Sequence, residues 1–511
     1  MREWKLFCER HIDKSSDLEN MKVLAREGFK EYFVYPDSIN FFEGSYFFIA
    51  KDGTEKVLIV YGESPIFSKF KGISEKVGQK SVKLCVLTNR NCNVLRGIFP
   101  YTSPSNHKGK EVTIGLGDRL GLASAGHIRL IKGMPVFPVL AQQSIRELNL
   151  TGRTYEDVLC AAAWSVFQEG YTKGFGADGD HLKTEQEVQM ALDCGFTMIT
   201  LDCSEHIDNM AATMSESEVN SKYQEMDVNT RKYLESKYLG KEFILQNSSK
   251  IVFDVIALKR AALVYFKAIS FTIEIYNNVI KGCGREIDFE MSIDETLTST
   301  IPESHFFVAS ELVAGEVEIT SLAPRFCGEF QKGIDYRGDK HQFELEFTAH
   351  VEIANYFGYK ISVHSGSDKF SIFPIVGEKT FGKYHLKTAG TNWLEAVRII
   401  ASQNASLYRK IHKFAIENLN EAKKYYHISA EVKKVPNIDL LKDCELPELM
   451  NIDDARQVLH ITYGLILSAK NADGSSVFKD AIYSTLNENE DNYYCALQKH
   501  IGKHMELLGI N

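Results

Sequence analysis

Residues 174–202 read GFGADGDHLKTEQEVQMALDCGFTMITLD. Thr184 is followed three residues later by Glu187, the spacing at which a hydroxyl caps a helix start and a carboxylate answers it. This predicts a helix from Thr184 to about Cys194. The apolar run Phe196–Leu201 then predicts a strand ending at Asp202. Asp180 and His181 stand at the end of the strand before that helix, so one strand–helix–strand unit sets two polar strand ends on the same side. The rhythm recurs. Pro135–Leu140 leads into Gln142, Gln143, Ser144 and Arg146, and Thr154 with Asp157 opens another capped helix. Further strands are predicted over Glu286–Met291, Val317–Leu322 and Tyr359–Val363, with helices over Phe343–Tyr356 and Trp393–Leu419. Strands alternating with helices imply a parallel sheet covered by helices, and so many units imply closure. The fold class expected is α/β, with a TIM-barrel-like (β/α) core over residues 126–410. Residues 1–125 read as a β-rich region, with a hairpin of Tyr46–Ala50 and Lys56–Tyr61 about Asp52-Gly53. Residues 411–511 read as helical, with Val458–Ser468 as one buried helix. They form a cap on the barrel or a homo-oligomer contact.

The chain has 511 residues, 44% of them apolar and 25% charged, which suits globular cores and excludes a disordered or collagen-like chain. A net charge of −9 argues against a nucleic-acid partner and a polybasic membrane anchor. The longest apolar stretch, Ile251–Phe266, is interrupted by Asp254, Lys259 and Arg260, so no membrane span is expected. The opening MREWKLFCERHIDKSS has no apolar core of a secretory signal, and the ten cysteines contain no C-x-x-C pair. A reducing cytoplasm is expected.

The chemistry is expected where the strands end. Asp180 and His181, Asp202 to His206, Glu290 with Asp294 and Glu295, Arg325, and His364 to Ser367 all fall at equivalent points. In an α/β barrel these ends make one face, and the active site lies there. Histidines and a carboxylate from separate strands can hold a catalytic divalent cation; His181, His350 and His364 are the ligand candidates, with Glu290 as a fourth. Arg325, Lys332, Lys369 and Lys387 form a basic group suited to a substrate carboxylate or phosphate. Gly174–Gly179 spells G-x-G-x-x-G with Asp202 beyond it. A helix rather than a strand precedes it, however, and Asp180-His-Leu-Lys follows, so a nicotinamide site is disfavoured.

The stretches Ala177–Thr184, Ser321–Phe326, Phe330–Tyr336, His364–Phe370 and His385–Trp393 closely resemble the tagaturonate epimerase family, over roughly residues 110–500. A looser likeness links Asp180-His181 and His364-Ser-Gly-Ser to class II metal-dependent aldolases, although the first glycine of the aldolase loop is absent. These resemblances imply a cytoplasmic isomerase of hexuronate catabolism that inverts C4 of a 2-ketohexuronate. They imply a divalent cation (Zn, Mn, Ni or Co) on His181, His350 and His364. Asp180 and Glu290 become the catalytic carboxylates, and Lys183, Arg325, Lys332, Ser365 and Lys387 the substrate contacts. C4 lies β to the ketone, so its C–H is not acidic; cleavage and re-formation of C3–C4 would avoid removing that proton. Three other classes share parts of this pattern: an aldolase that releases two fragments, a nicotinamide oxidoreductase and a non-catalytic sugar binder.

Overall fold

In a computed structural model that describes residues 1–14, 17–246 and 249–510, eight parallel strands close into a barrel. They are β1 Val112–Gly115, β2 Phe137–Gln143, β3 Gly176–Leu182, β4 Met198–Asp202, β5 Asp288–Ile293, β6 Ser321–Pro324, β7 Lys360–Val363 and β8 Tyr384–Lys387. Each pairs with its neighbours in chain order, and β8 returns to β1 through Tyr384↔Val112 to Lys387↔Gly115. The barrel expected from the strand–helix rhythm is present. Its first strand lies ahead of residue 126, because Val112–Gly115 is too short to stand out by pattern.

The capping signals hold. Thr154 accepts from the Asp157 N–H, Thr184 from the Glu187 N–H, and each carboxylate returns the bond. Two elements differ from expectation. Val317 is not in a strand: the helix Pro302–Ala314 closes through Val317 N–H to Leu312 O, with Glu316 at φ 57°, and β6 begins only at Ser321. Val458–Ser468 is broken at Thr462 into Asp453–Ile461 and Tyr463–Ser468. There Gly464 sits so close to Leu150 that a Cβ would lie 2.8 Å from its side chain.

The N-terminal region holds a five-stranded antiparallel sheet, with the expected hairpin in register from Ser45↔Gly62 to Asp52↔Glu55. One face packs on helices Arg2–Phe7 and Leu18–Tyr32, and the other on barrel helix Tyr155–Gln168 through Cys160, Trp164 and Phe167. The C-terminal helices build a second core around Trp393, Val397, Tyr408, Leu459 and Tyr463, so that core begins before residue 411. The stretch Ile251–Phe266 belongs mostly to helix Val255–Ile275, which buries Leu258, Ala262 and Tyr265. No helix among the described residues is long and apolar enough to cross a membrane.

Candidate active site at the mouth of the barrel

The centre of the barrel is polar. The Lys387 ammonium, at the end of β8, donates to Asp180 Oδ1 at 2.7 Å and lies 3.0 Å from Asp178 Oδ2 and 3.1 Å from Glu290 Oε1. Thr200 of β4 joins the cage by donating to Asp178 at 3.0 Å. Glu290 also accepts from Ser321 of β6. One cation therefore faces three buried carboxylates. Burial pushes Lys387 down, but the three acids outweigh it and hold the ammonium well above its usual range. Burial pushes Asp180 and Glu290 up; Lys387, helped by His364, outweighs it and holds both below the carboxylate range. Asp178 goes the other way, raised by burial to about 6.

Above the cage, His181 of β3 and His364, one residue past β7, stack edge to face with ring centroids 4.9 Å apart. His364 Nε2 lies 2.7 Å from Glu290 Oε1, and its Nδ1 lies 3.1 Å from Asp294 Oδ1. His181 Nδ1 is buried without a hydrogen-bond partner, 3.6 Å from Asp202 Oδ2. Ligand atoms of His181, Asp294 and His364 lie within 4.8 Å of one another, as do those of His181, Asp202 and Glu295. Two imidazoles and a carboxylate, one nitrogen unsatisfied, are a donor set that fits a divalent first-row cation. Burial pushes His181 down, but Asp180 with Asp202 outweighs it and raises the imidazole to about 10, so a cation there would displace a proton.

The backbone puts Asp180 and His181 on the same face. His181 has φ 53°, and the β3–β4 register shifts between Gly179 and Leu182. Successive strand residues point to opposite faces; the left-handed residue breaks that alternation, at the unfavourable conformation often stored at functional sites. Gly179 serves packing instead. A Cβ there would lie 2.9 Å from Leu182 and 3.0 Å from Ala191 of the capped helix.

A cavity of 350 Å³ opens beside His364, and a 70 Å³ chamber that shares much of its wall reaches His181, Asp180 and Lys387. Arg146, Lys332, Ser365 and His364 border both. Of the residues expected from sequence, Asp180, His181, Glu290, Lys332, His364, Ser365 and Lys387 meet here. Arg325 stands on the outer wall. Lys183 lines neither chamber; it is held by Ser204 at 3.1 Å and Glu205 at 3.4 Å.

Two expectations are corrected. His350 is not at the site. It belongs to helix Lys340–Phe357 outside the barrel, its Nδ1 is 2.9 Å from His305 Nδ1, and burial keeps it neutral by lowering it to about 4. The third ligand-type residue beside His181 and His364 is Asp294. Lys369 is also withdrawn: fully buried, it donates to the carbonyls of Gln331, Ile334 and Ser367. Sequence reasoning assigned no role to Asp178, Arg146 or Gln142, whose Nε2 is 3.5 Å from Asp180. Asp294 carried a signal, since it lies one residue past β5. The G-x-G-x-x-G match is accounted for by β3 itself: Gly176 and Gly179 are strand residues, and the helix starts only at Glu185.

A family model for tagaturonate epimerase matches residues 35–508. The chain belongs to the tagaturonate epimerase family. The match takes in the whole N-terminal sheet, so the tagaturonate epimerase family likeness extends beyond the 110–500 stretch carried by the motifs. A tagaturonate/fructuronate epimerase of Thermotoga maritima is 42% identical over 491 residues, 96% of this chain and 99% of that protein. Crystal structures of fructuronate-tagaturonate epimerase from Cohnella laeviribosi are 51% identical. The glycerol complex has a TM-score of 0.93 over 97% of this chain and 100% of its own. The native form has a TM-score of 0.92 over the same shares.

Proposed function

We propose that this protein interconverts D-tagaturonate and D-fructuronate by inverting C4, in cytoplasmic hexuronate catabolism, and depends on a divalent cation. The observation that carries the reading is the pairing of a His181–Asp294–His364 cluster with the Lys387-anchored carboxylate Asp180 at one barrel mouth. Family membership supplies the substrate class. A cation on those three residues would supply Lewis-acid polarisation of the substrate ketone.

The rest is done by the chain. Asp180, held ionised by Lys387, takes the proton of the 4-hydroxyl. The C3–C4 bond breaks, its electron pair passes into the C2–C3 enediolate, and C4 becomes an aldehyde. The aldehyde turns to present its other face, C3–C4 re-forms, and Asp180 returns the proton to the new 4-oxygen. Atoms and electrons balance without a further reactant. Lys387 fixes Asp180 while Asp178 and Glu290 balance its charge; Gln142 approaches the other Asp180 oxygen. Lys332 and Ser365, joined by a 2.8 Å hydrogen bond, offer polar contacts to the substrate. Free thiols at all ten cysteines suit a reducing compartment.

The test is incubation of purified protein with tagaturonate and a panel of Zn, Mn, Ni and Co salts, followed by NMR. Fructuronate is the expected product. Accumulation of free three-carbon fragments instead would identify an aldolase.

A further inference from the structure

Most cations around the cleft are already matched. Arg119 is held by Glu147 at 3.0 and 2.8 Å, Lys183 by Glu205, and Lys387 by its three acids. Arg146 is different. It borders both chambers, its guanidinium carbon lies 5.0 Å from the Tyr426 ring centroid, and its Nε is buried without a hydrogen-bond partner. No ion pair reaches it among the described residues. Among the described residues the Lys332 ammonium has only the neutral Ser365 hydroxyl as a partner. The acids whose fields reach both are Glu147 and Glu295. Glu147 is taken by Arg119, and Glu295 makes no ion pair with either. Arg146 and Lys332 also repel each other across the cleft. Two half-matched cations with an unsatisfied donor, facing a cavity, lack one anion.

We infer that Arg146 and Lys332 are the receptor for the C6 carboxylate of the ketouronate, and that Arg146 sets the preference for uronates over neutral ketoses. With C4 beside Asp180 in the inner chamber, the carboxylate end of the sugar extends toward these two residues. A guanidinium presents a planar fork to a carboxylate, and Tyr426 fixes its plane. Arg325, the arginine suggested by sequence, borders only the outer chamber. Naming the anion as the substrate carboxylate rests on the proposed function; the receptor itself does not.

The test uses metal-loaded protein and two inert probes: the hexonates made by borohydride reduction of tagaturonate, and the hexitols made likewise from tagatose. They differ at C6 alone. Calorimetry on the wild type should give hexonate binding about 10–100-fold tighter than hexitol, the range of one or two charge-assisted hydrogen bonds. Arg146→Gln should erase most of that preference with hexitol affinity kept, and Arg146→Lys should recover part of it. The KM for tagaturonate should rise by a similar factor in Arg146→Gln, with a smaller fall in kcat. Equal weakening of both probes would overturn the inference, as would loss of the preference in Arg325→Gln but not in Arg146→Gln. An Arg146-dependent preference in a protein that never converts tagaturonate would instead sink the epimerase reading and leave the receptor standing.

Discussion

Lys387 holds together three carboxylates that would otherwise repel one another in the barrel centre. Removing one partner of a buried charge network leaves the others uncompensated, at about 3–5 kcal/mol. Lys387→Met should therefore lower unfolding free energy by that order in denaturant titration, as well as abolish turnover. A fully stable but inactive variant would show that the cage serves chemistry alone. Asp180→Asn keeps shape and cannot accept a proton. It should retain the metal and lower kcat by about 10²–10⁴-fold. Replacing His181 or His364 by Ala should empty the metal site in elemental analysis, whereas His350→Ala should leave it loaded. Loss of metal in His350→Ala would restore the ligand set drawn from sequence. That set went wrong for a physical reason: a histidine facing another histidine across two helices cannot be told by spacing from one facing a cavity, and the His305 partner is 45 residues away.

At the scale of elements, the unit from β3 through its capped helix to β4 was legible because local chemistry declares it. Thr184 and Glu187 fix the helix start, and the apolar run Met198–Leu201 fixes the strand. Val112–Gly115 and Tyr384–Lys387 were not legible as strands, since four residues held by barrel neighbours carry no period of their own. The polar face was legible in the same way as the capped unit, through Asp180-His181 and His364 at strand ends. The left-handed conformation of His181 was not, because nothing local demands it. Two variants test this element. Thr184→Ala removes the cap and should cost about 1 kcal/mol of stability with little change in kcat, read by denaturation and kinetics together. Gly179→Ala drives a methyl toward Leu182 and Ala191. Overpacking of this kind costs about 1–3 kcal/mol. Because β3 leads straight to His181, metal content should fall as well. Full metal occupancy in Gly179→Ala would mean that β3 absorbs the strain without moving the site.

Across the whole molecule, Glu490 of the C-terminal helix Glu490–Leu507 fastens the N-terminal sheet. It pairs with Lys51 at 2.7 Å and with Lys56, and Tyr35 donates to it at 2.6 Å. Burial pushes its carboxyl up, but Lys56 and Lys51 outweigh it and lower it from 4.5 to about 2. An acid lowered on folding stabilises the fold above its unfolded value and loses that contribution as pH falls through its folded value. The fall here is worth about 3 kcal/mol at most. Lys56, pushed down by burial despite Glu490, takes part of it back. Denaturant titrations of the wild type should thus lose stability between about pH 4.5 and pH 2, and Glu490→Gln should lack that component. A parallel acid profile in both proteins would remove the lock. The proposed reaction inverts C4 by breaking C3–C4 rather than by removing the C4 proton. Its most direct test is turnover of [4-²H]tagaturonate in ordinary water, read by NMR of the fructuronate formed. Deuterium retained at C4 is the predicted result, because that hydrogen stays on the aldehyde carbon throughout; protium at C4 would contradict it and move the reaction to acid–base exchange on carbon.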